Sequence, residues 1–238
     1  MDRLRLVLVG VEGAINLGLI ARLCENFDVE ELVLVSPKAS LEEAREYAVR
    51  ASHRLDSALI VGSLGEALEG VALSICTSAR SSAADALRTP VDPEEAVGIA
   101  GGVEGTVALV MGRESVGLTR AELSMCDLLA TIPSSPRYPA LNLANATAIF
   151  LYEFYKARGR RVEWRGDTRY IRLVEAYARA LADLLVGDEK RREEVVVALR
   201  RMAARNLMYG KDVRLLLYLL SRACAFIEGC KVEISNQM

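Results

Sequence analysis

The 238-residue sequence contains very little histidine, and its cysteines are not paired in the manner of a metal site. His53 is the single histidine, and the five cysteines are scattered without a C-x-x-C pair. A conventional Cys/His zinc site and a Ser-His-Asp hydrolase triad are therefore disfavoured, and we expect no bound metal. Because the cysteines are odd in number and far apart along the chain, we expect small core residues rather than a disulfide framework.

Long hydrophobic runs are also missing. No apolar stretch reaches the roughly 18 residues that a membrane-spanning helix needs, and the run Leu215–Leu220 near the C-terminus is flanked by arginines. The N-terminal residues 1–5 lead directly into a strand-like run rather than into a signal peptide. These features predict a soluble cytoplasmic protein that does not enter a membrane.

Two common nucleotide-binding motifs are absent. No G-x-x-x-x-G-K-[ST] loop occurs, and Gly10, Gly13 and Gly18 after the first apolar run do not have the G-x-G-x-x-G spacing. The second apolar run ends in Ser36-Pro37 rather than in an acidic residue that binds a ribose diol. A phosphate loop and a dinucleotide site of the usual kind are therefore disfavoured.

Lysine is scarce, and arginine supplies most of the positive charge. The net charge is −2, and of the 30 basic residues 25 are arginine and 5 are lysine. Several basic residues are clustered, at 158–161, 165, 190–192 and 200–201. Two interpretations remain open: a local surface for an anionic ligand such as phosphate, or solvated helix faces that carry ion pairs.

Apolar runs alternate with helical patterns through the first two thirds of the chain. The runs predict strands at 4–9, 32–35, 58–61, 71–76, 106–111 and 128–132. Between and after them, helical spacing or a capping sequence predicts helices at 16–27, after Ser40, after Ser63, at 93–97, after Thr119 and at 142–156. Continuous apolar strands that alternate with helices predict an α/β fold, with a mainly parallel sheet and helices on both faces.

The composition and the periodicity of the sequence change after residue 157. A charged, glycine-bearing stretch is followed by sequence that is helical throughout, with predicted helices at 171–185, 189–208 and 213–228. We therefore expect a domain at 1–158, a linker at 159–167 and a small all-helical extension at 168–238. An extension of this size is marginal alone, so we expect it to pack on the first domain or on a second subunit.

Polar residues follow the predicted strands at the positions where α/β proteins keep their sites. Arg113 and Glu114 follow the strand at 106–111, and a proline-rich loop precedes the helix that starts at Asn142. After the first strand, Asn16, Gly18 and Arg22 are spaced so that backbone N–H groups, an amide and a guanidinium meet a phosphate or a ribose. The alternative is structural: Asn16 caps a helix, and Arg113 and Glu114 form an internal ion pair.

Four motifs occur in order within residues 4–157. They are Asn16-x-Gly18-x-x-x-Arg22, Thr77-Ser-Ala-Arg80, Gly112-Arg-Glu-Ser-x-Gly-Leu118 and Tyr138-Pro-Ala-Leu-Asn-Leu-Ala144. Together they resemble the motifs of the SPOUT superfamily of RNA methyltransferases, and most closely its TrmJ-type branch. That branch methylates the ribose 2′-hydroxyl of nucleotide 32 in the tRNA anticodon loop with S-adenosylmethionine, and a helical C-terminal extension is similar to it too.

The resemblance implies a deep trefoil knot at the end of the first domain, formed by the strands at 106–111 and 128–132 and the helix from Asn142. It also implies that the knot loops bind S-adenosylmethionine and release S-adenosylhomocysteine. The cofactor-binding residues would be Thr77, Ser78, Ala79, Gly112, Ile132, Pro139, Ala140 and Leu141. Ile132 and Leu141 suit an apolar slot for adenine, and Gly112 would let the ligand approach the backbone.

The same resemblance assigns roles in the reaction. The catalytic set would be Asn16, Arg22, Arg113, Glu114 and Asn142, and the substrate contacts would be Arg22, Arg113, Glu114, Arg137 and Tyr138. The sulfonium donor already carries the activation, so methyl transfer needs orientation of the 2′-oxygen rather than a metal. Because a guanidinium is a poor base, our hypothesis is that Arg22 orients the target phosphate and stabilises the developing alkoxide.

SPOUT enzymes generally act as homodimers, so the resemblance implies two partners, tRNA and a second copy of the chain. Arg22 of one subunit would lie near the cofactor of the other. Ala140 departs from the family, because many relatives carry serine there, and substrate preference is the property that this puts in doubt. Two alternatives stay open: a 2′-O-methyltransferase for ribosomal RNA or another tRNA site, and a non-catalytic knotted RNA-binding protein.

Overall fold

The computed structural model describes residues 3–79, 89–158, 166–207 and 210–232, and within them six strands form one parallel sheet. The strands are β1 (Arg3–Val9), β2 (Glu31–Val35), β3 (Leu59–Val61), β4 (Val71–Thr77), β5 (Thr106–Met111) and β6 (Leu128–Ala130). Their order across the sheet is β3-β2-β1-β5-β4-β6, and every neighbouring pair is parallel. The predicted α/β class with a mainly parallel sheet is confirmed, and each predicted strand is present to within two residues at its ends.

The helices of the first part of the chain connect these strands. They are α1 (Ala14–Asn26), α2 (Leu41–Ala48), α3 (Ser52–Asp56), α4 (Leu64–Ala67), α5 (Pro93–Gly101), α6 (Arg120–Met125) and α7 (Leu143–Ala157). Ser40, Ser63 and Thr119 cap α2, α4 and α6 through hydrogen bonds from the backbone N–H groups of the third residues of these helices, as their sequences predicted.

Both faces of the sheet are buried. In β1 the side chains of Leu4, Leu6 and Leu8 belong to one core cluster, and those of Val7 and Val9 belong to another on the opposite face. Successive side chains of a strand point to opposite faces, so only a run that is apolar at every position fits a sheet covered on both sides. This is why the strands read as continuous apolar runs rather than as alternating ones.

Gly18 allows α1 to pack closely against α2. A Cβ atom at this position would lie 2.5 Å from the carbonyl oxygen of Ala44 and 2.5 Å from the Cβ of Tyr47. Gly18 is buried, whereas the sequence interpretation grouped it with Arg22 as part of an anion site. That part of the interpretation is wrong, because Gly18 faces a neighbouring helix backbone, which only a residue without a side chain can approach so closely.

The C-terminal part contains three further helices, α8 (Arg169–Leu185), α9 (Glu189–Arg205) and α10 (Gly210–Phe226). Helix α8 packs against both α9 and α10, and α9 contacts β6. The extension is also joined to the sheet domain by a hydrogen bond from the Gly166 N–H to the Gly102 carbonyl, 2.9 Å long. The boundary at residue 158 stays a prediction, since residues 159–165 lie outside the described part of the chain.

Among the described residues, no helix combines the length and the apolar character that crossing a membrane requires. This finding concerns the helices of residues 3–79, 89–158, 166–207 and 210–232 only.

Four of the five cysteines form disulfides, which corrects the expectation that they are isolated core residues. Cys76 is bonded to Cys126, and Cys224 is bonded to Cys230, while Cys24 is buried and free. Cys76 and Cys126 are 50 residues apart in sequence, but their Cα atoms are 5.7 Å apart. The strand pairing of β4 with β6 brings them together, and the spacing of cysteines along a chain cannot show such a contact.

We expect the Cys76–Cys126 disulfide to be the more stabilising of the two. It closes a loop of 50 residues, for which loop-closure entropy gives about 4 kcal/mol. The Cys224–Cys230 disulfide closes 6 residues, for which the same relation gives about 2 kcal/mol. Thermal unfolding of the alanine double variants under oxidising conditions should therefore show the larger fall in melting temperature for Cys76→Ala/Cys126→Ala. If the wild type and this double variant had the same melting temperature in the absence of reductant, the presence of the Cys76–Cys126 disulfide would be contradicted.

Candidate active site

A cavity of about 220 Å³ opens at the carboxyl-terminal edge of the sheet, beside the ends of β4, β5 and β6 and the start of α7. In a parallel α/β sheet this edge is where ligands bind, because the loops that follow the strands meet there. The cavity is lined by all eight residues that the sequence assigned to the cofactor: Thr77, Ser78, Ala79, Gly112, Ile132, Pro139, Ala140 and Leu141. Their assignment as cofactor contacts remains a prediction, but the fold brings them to one cavity.

The loop after β5 forms one wall of this cavity. It closes on itself through hydrogen bonds between the backbones of Arg113 and Gly117, 2.9 and 3.3 Å long. A Cβ atom on Gly112 would lie 2.5 Å from the backbone carbon of Gly117 and from the nitrogen of Leu118. Glycine is therefore required at position 112 because the loop closes against it. The sequence analysis had explained this glycine by the close approach of a ligand.

Glu114 joins this loop to the beginning of α1. Its carboxylate oxygens accept hydrogen bonds from the Glu12 N–H (2.9 Å), the Gly13 N–H (3.0 Å) and the Asn16 side-chain amide (3.0 Å). A carboxylate at the N-terminus of a helix is stabilised by the helix dipole and by the unpaired N–H groups there. The described contacts of Glu114 are thus contacts within the protein that hold two loops together.

Asn16 and Asn142 extend this connection to the third predicted motif. The side-chain amide of Asn142 donates to the side-chain oxygen of Asn16 at 2.9 Å. The side-chain oxygen of Asn142 also caps α7, accepting from the backbone of Ala144 and Asn145. Three of the five residues predicted for catalysis, Asn16, Glu114 and Asn142, therefore form one hydrogen-bonded chain across the start of two helices.

Arg113 is engaged by Glu122 on α6. Its two terminal nitrogens donate to the two carboxylate oxygens of Glu122 at 2.9 and 3.0 Å, and both side chains are largely buried. Burial raises the pKa of Glu122, but the hydrogen bonds from Arg113 and Thr119 outweigh it and leave this pKa below its usual value. The sequence analysis predicted a helix after Thr119 from its capping sequence, but it did not identify Glu122 of that helix as the partner of Arg113.

Arg22, Arg137 and Tyr138 are exposed. The side chains of Arg22 and Arg137 make no hydrogen bond or ion pair with the described residues, in contrast to Arg113. None of the three residues lines the cavity of its own chain. An unpaired guanidinium retains its full capacity for a phosphate, so these two arginines remain available for an anionic ligand, and their role as substrate contacts stays a prediction.

Four of the clustered arginines are paired or buried, whereas Lys190 and Arg191 are exposed, so an anionic-ligand surface stays a prediction for the remaining basic residues of the clusters. Arg158 pairs with Glu30, and Arg192 lies within 3.6 Å of a carboxylate oxygen of Asp183. Arg200 and Arg201 are buried and donate to backbone carbonyls of the segment around α6. Arg80 and the arginines at 160, 161 and 165 lie outside the described residues.

Comparison with known proteins gives a family match and similarities that extend over most of the chain. A model described as the SpoU rRNA Methylase family matches residues 3–152. The tRNA (cytidine-2′-O-)-methyltransferase TrmJ of Sulfolobus acidocaldarius is 34% identical over 224 residues, 92% of this chain and 92% of that protein. The protein of the same description from Methanocaldococcus jannaschii is 33% identical over 214 residues, 87% and 93% of the two chains. The crystal structure of TrmJ from Z. mobilis has a TM-score of 0.65 at 25% identity and covers 92% of this chain and 98% of that one.

The pair of Arg113 and Glu122 leads to a prediction about pH. Because the folded-state pKa of Glu122 is lowered, its stabilisation is present above the pKa of the unfolded carboxyl and is lost as pH falls through the folded-state pKa. We expect Glu122→Gln to lower the free energy of unfolding by about 1 kcal/mol near pH 7, and the difference from wild type to narrow below about pH 4. Urea unfolding over a pH series measures this.

A matched control for that experiment is Glu43→Gln. Glu43 occupies the same third position of α2, capped by Ser40, but makes no ion pair among the described residues. Its substitution should have a smaller effect near neutral pH. If the difference in the free energy of unfolding between wild type and Glu122→Gln increased as the pH fell, the proposed pairing of Glu122 with Arg113 would be contradicted.

Proposed function

The chain belongs to the SpoU rRNA methylase family, and on that premise we propose which nucleotide it modifies and how its residues contribute. It is an S-adenosylmethionine-dependent methyltransferase that acts on the ribose 2′-hydroxyl of tRNA. The observation that carries this function is similarity to tRNA 2′-O-methyltransferases over 92% of both chains, C-terminal helices included. The proposed target is nucleotide 32 of the anticodon loop, in the cytoplasm.

The residues around the cavity fit this cofactor. Ile132, Leu141 and Phe150 supply apolar side chains, and the closed loop from Gly112 to Leu118 presents backbone groups beside them. An adenosine needs such an apolar slot, together with backbone donors and acceptors for its base and ribose. When bound, S-adenosylmethionine supplies an electrophilic methyl group on a sulfonium. The proposed cofactor contacts are the eight wall residues already predicted from the sequence.

The proposed role of the Asn16, Glu114 and Asn142 chain is to hold the walls of the cavity in register. Glu114 accepts hydrogen bonds from three donors. Asn142 donates a hydrogen bond to Asn16 and accepts one from the backbone at the start of α7. The side chain of Arg22 has no hydrogen-bond or ion-pair partner among the described residues. We therefore assign to it the orientation of the target phosphate and the stabilisation of negative charge on the 2′-oxygen. The hydroxyl proton then leaves to a phosphate oxygen or to water.

The proposed homodimer is supported by an apolar surface on α1 and α7. Ile15 and Leu19 lie one turn apart on α1, and Ile149 and Tyr152 lie on α7, which packs beside it. All four side chains are exposed in the single chain. Apolar surface of this kind marks interfaces between proteins. We therefore propose that this surface is covered by the same surface of a second copy.

Arg22 lies on the same stripe of α1 as this apolar surface. Positions 15, 19 and 22 are related by the i, i+4, i+7 spacing of one helix face. A second copy that covers Ile15 and Leu19 therefore also approaches Arg22. This supports the proposal that Arg22 of one subunit completes the site at the cavity of the other.

The trefoil knot remains part of this proposal. It follows from the resemblance and from the fold that this chain shares with the family. In this chain β6 lies between β4 and Val91: the N–H of Val91 donates to the carbonyl of Leu129, and the N–H of Thr131 donates to the carbonyl of Val91. A second candidate substrate is ribosomal RNA, because the matching family is described by that activity.

The substrate is tested by transfer of a tritiated methyl group from S-adenosylmethionine to unmodified tRNA transcripts. We expect incorporation into wild-type transcripts and background incorporation when nucleotide 32 carries a 2′-deoxyribose, because the acceptor oxygen is then missing. Each base placed in turn at position 32 measures nucleoside preference. Equal transfer to the 2′-deoxy transcript would contradict nucleotide 32, and preferred transfer to ribosomal RNA fragments would favour the second candidate.

The composite site is tested by mixing two inactive variants. Arg22→Ala lacks the orienting guanidinium, and Ala140→Trp fills the cavity, as loss of cofactor binding in calorimetry would verify. If each site combines Arg22 of one subunit with the cavity of the other, a mixed dimer contains one intact site. An equal mixture, refolded together, should then recover about a quarter of wild-type activity because half of the dimers are mixed.

The controls for the mixing experiment are each variant refolded alone, and Arg22→Lys. The lysine variant keeps a positive charge but loses the planar fork, so we expect partial activity. Absence of recovery in a mixture that forms mixed dimers would place Arg22 and the cavity in the same subunit. Full activity of Arg22→Ala would contradict its role altogether.

A further inference from the structure

Asp127 is a fully buried carboxylate that lies between the sheet and the C-terminal helices, with an exposure of 0%. One of its oxygens accepts hydrogen bonds from the backbone N–H and the hydroxyl of Ser74, at 2.9 and 2.8 Å. The backbone N–H of Asp127 donates in return to the Ser74 hydroxyl at 3.0 Å. The sequence did not single out either residue, although Asp127 is a charged residue inside the apolar run 126–130.

Two arginines of the C-terminal extension neutralise this carboxylate. Arg172 of α8 donates to both oxygens of Asp127, at 2.7 and 3.1 Å, and the Nε of Arg200 of α9 lies 3.7 Å away. Burial raises the pKa of Asp127, but the charges of the two arginines lower it by more than burial raises it. The pKa of Asp127 is therefore below its usual value. The carboxylate is therefore ionised and paired at neutral pH. We call Asp127, Ser74, Arg172 and Arg200 the Asp127 cluster.

Helix α9 makes further contacts with the segment just before β6 and with the segment that pairs beside it. Besides Asp127, Arg200 donates to the carbonyls of Ser124 and Cys126, just before this strand. Arg205 donates to the carbonyl of Thr89, two residues from Val91, which pairs with the other side of β6. The C-terminal helices thus hold the start of β6 and the segment beside it.

Strand β6 carries one wall of the cavity but has only three residues, and it lies beside β4 at the edge of the named strands. Ser74 and Asp127, which are joined by hydrogen bonds, each lie one residue before the paired residues Ile75 and Leu128. At the far ends of the same two strands lie Thr77–Ala79 and Ile132, all of which line the cavity. The Cys76–Cys126 disulfide ties the residue before Asp127 to β4. Because a strand of three residues has few hydrogen bonds of its own, the side-chain contacts of Asp127 influence how β6 continues from that point.

We propose that Asp127 and Arg172 are positioning residues for the cofactor cavity, through which the C-terminal helices set the affinity for S-adenosylmethionine. The proposal rests on the proposed function of the cavity. Neither residue lines the cavity, so they act through β4 and β6. Loss of the Arg172 contact leaves Asp127 with a more distant partner, and the walls at Ala79 and Ile132 then depart from the arrangement that binds the cofactor.

The test compares Arg172→Met with Arg172→Lys and Arg179→Met in the full chain. Arg172 is about half exposed, at 47%, so its substitution does not open the core. Arg179 lies on the same helix and is exposed, with a 3.6 Å ion pair to Glu175 as its described contact, and it serves as the matched control. For each variant, calorimetry gives the Kd for S-adenosylmethionine well below the melting temperature, and steady-state methyl transfer to tRNA gives kcat and the KM for the cofactor.

We expect Arg172→Met to raise the Kd and the KM for S-adenosylmethionine by about tenfold while kcat at saturating cofactor stays near wild type. Arg172→Lys should recover part of the affinity, and Arg179→Met should bind as wild type does. A second variant, Asp127→Asn, keeps the shape of the side chain without its charge and should give the same change in KM if it folds.

Two other outcomes have distinct meanings. If wild type binds the cofactor and Arg172→Met binds it equally well with only a lower melting temperature, the cluster is structural and the positioning role is overturned. If the wild-type chain itself binds no S-adenosylmethionine, the proposed function of the cavity fails, and with it the basis of this inference. A fall in kcat at unchanged KM would also contradict a role in cofactor affinity.

Discussion

The parallel sheet is covered by helices on both faces, and this constraint determines where the molecule can place its chemistry. The side chains of the strands are buried in the two cores. In β1, for example, the leucines face one side of the sheet and the valines face the other. Polar groups are therefore confined to the loops at the strand ends. The cavity, the closed loop from Gly112 and the Glu114 contacts all lie at the carboxyl edge for this reason.

The elements and the cavity walls were largely accessible from the sequence, and the partners of charged side chains were not. Continuous apolar runs and capping residues such as Thr119 depend on neighbours that are near in sequence, so strands and helix starts could be predicted. The resemblance then supplied the eight wall residues, which local pattern alone would not have grouped. Contacts such as Glu122 with Arg113, or Asp127 with Arg172, depend on which elements pack together, and no local pattern encodes that.

The glycines illustrate the same limit. Gly18 was assigned to an anion site with Arg22, and Gly112 was assigned to the approach of the cofactor, but both positions lie against another part of the protein backbone. The disulfides are a further case, because Cys76 lies in β4 and Cys126 lies between α6 and β6, and the two are close only in the folded chain. In each case the residue type correctly indicated a close contact, and only the three-dimensional packing identified the partner.

The described arginines of this chain divide into paired and unpaired ones, and this division is compatible with phosphate binding by a chain whose net charge is −2. Arginines such as Arg200 and Arg172 are held by carboxylates or carbonyls and stabilise the contact between the two parts of the chain. Arg22 and Arg137 are exposed and unpaired among the described residues. Binding to phosphates depends on such free guanidinium groups rather than on the overall charge, since a paired arginine must first give up its carboxylate. If the proposed dimer forms through the exposed face of α1, the unpaired charge of Arg22 lies close to the second subunit.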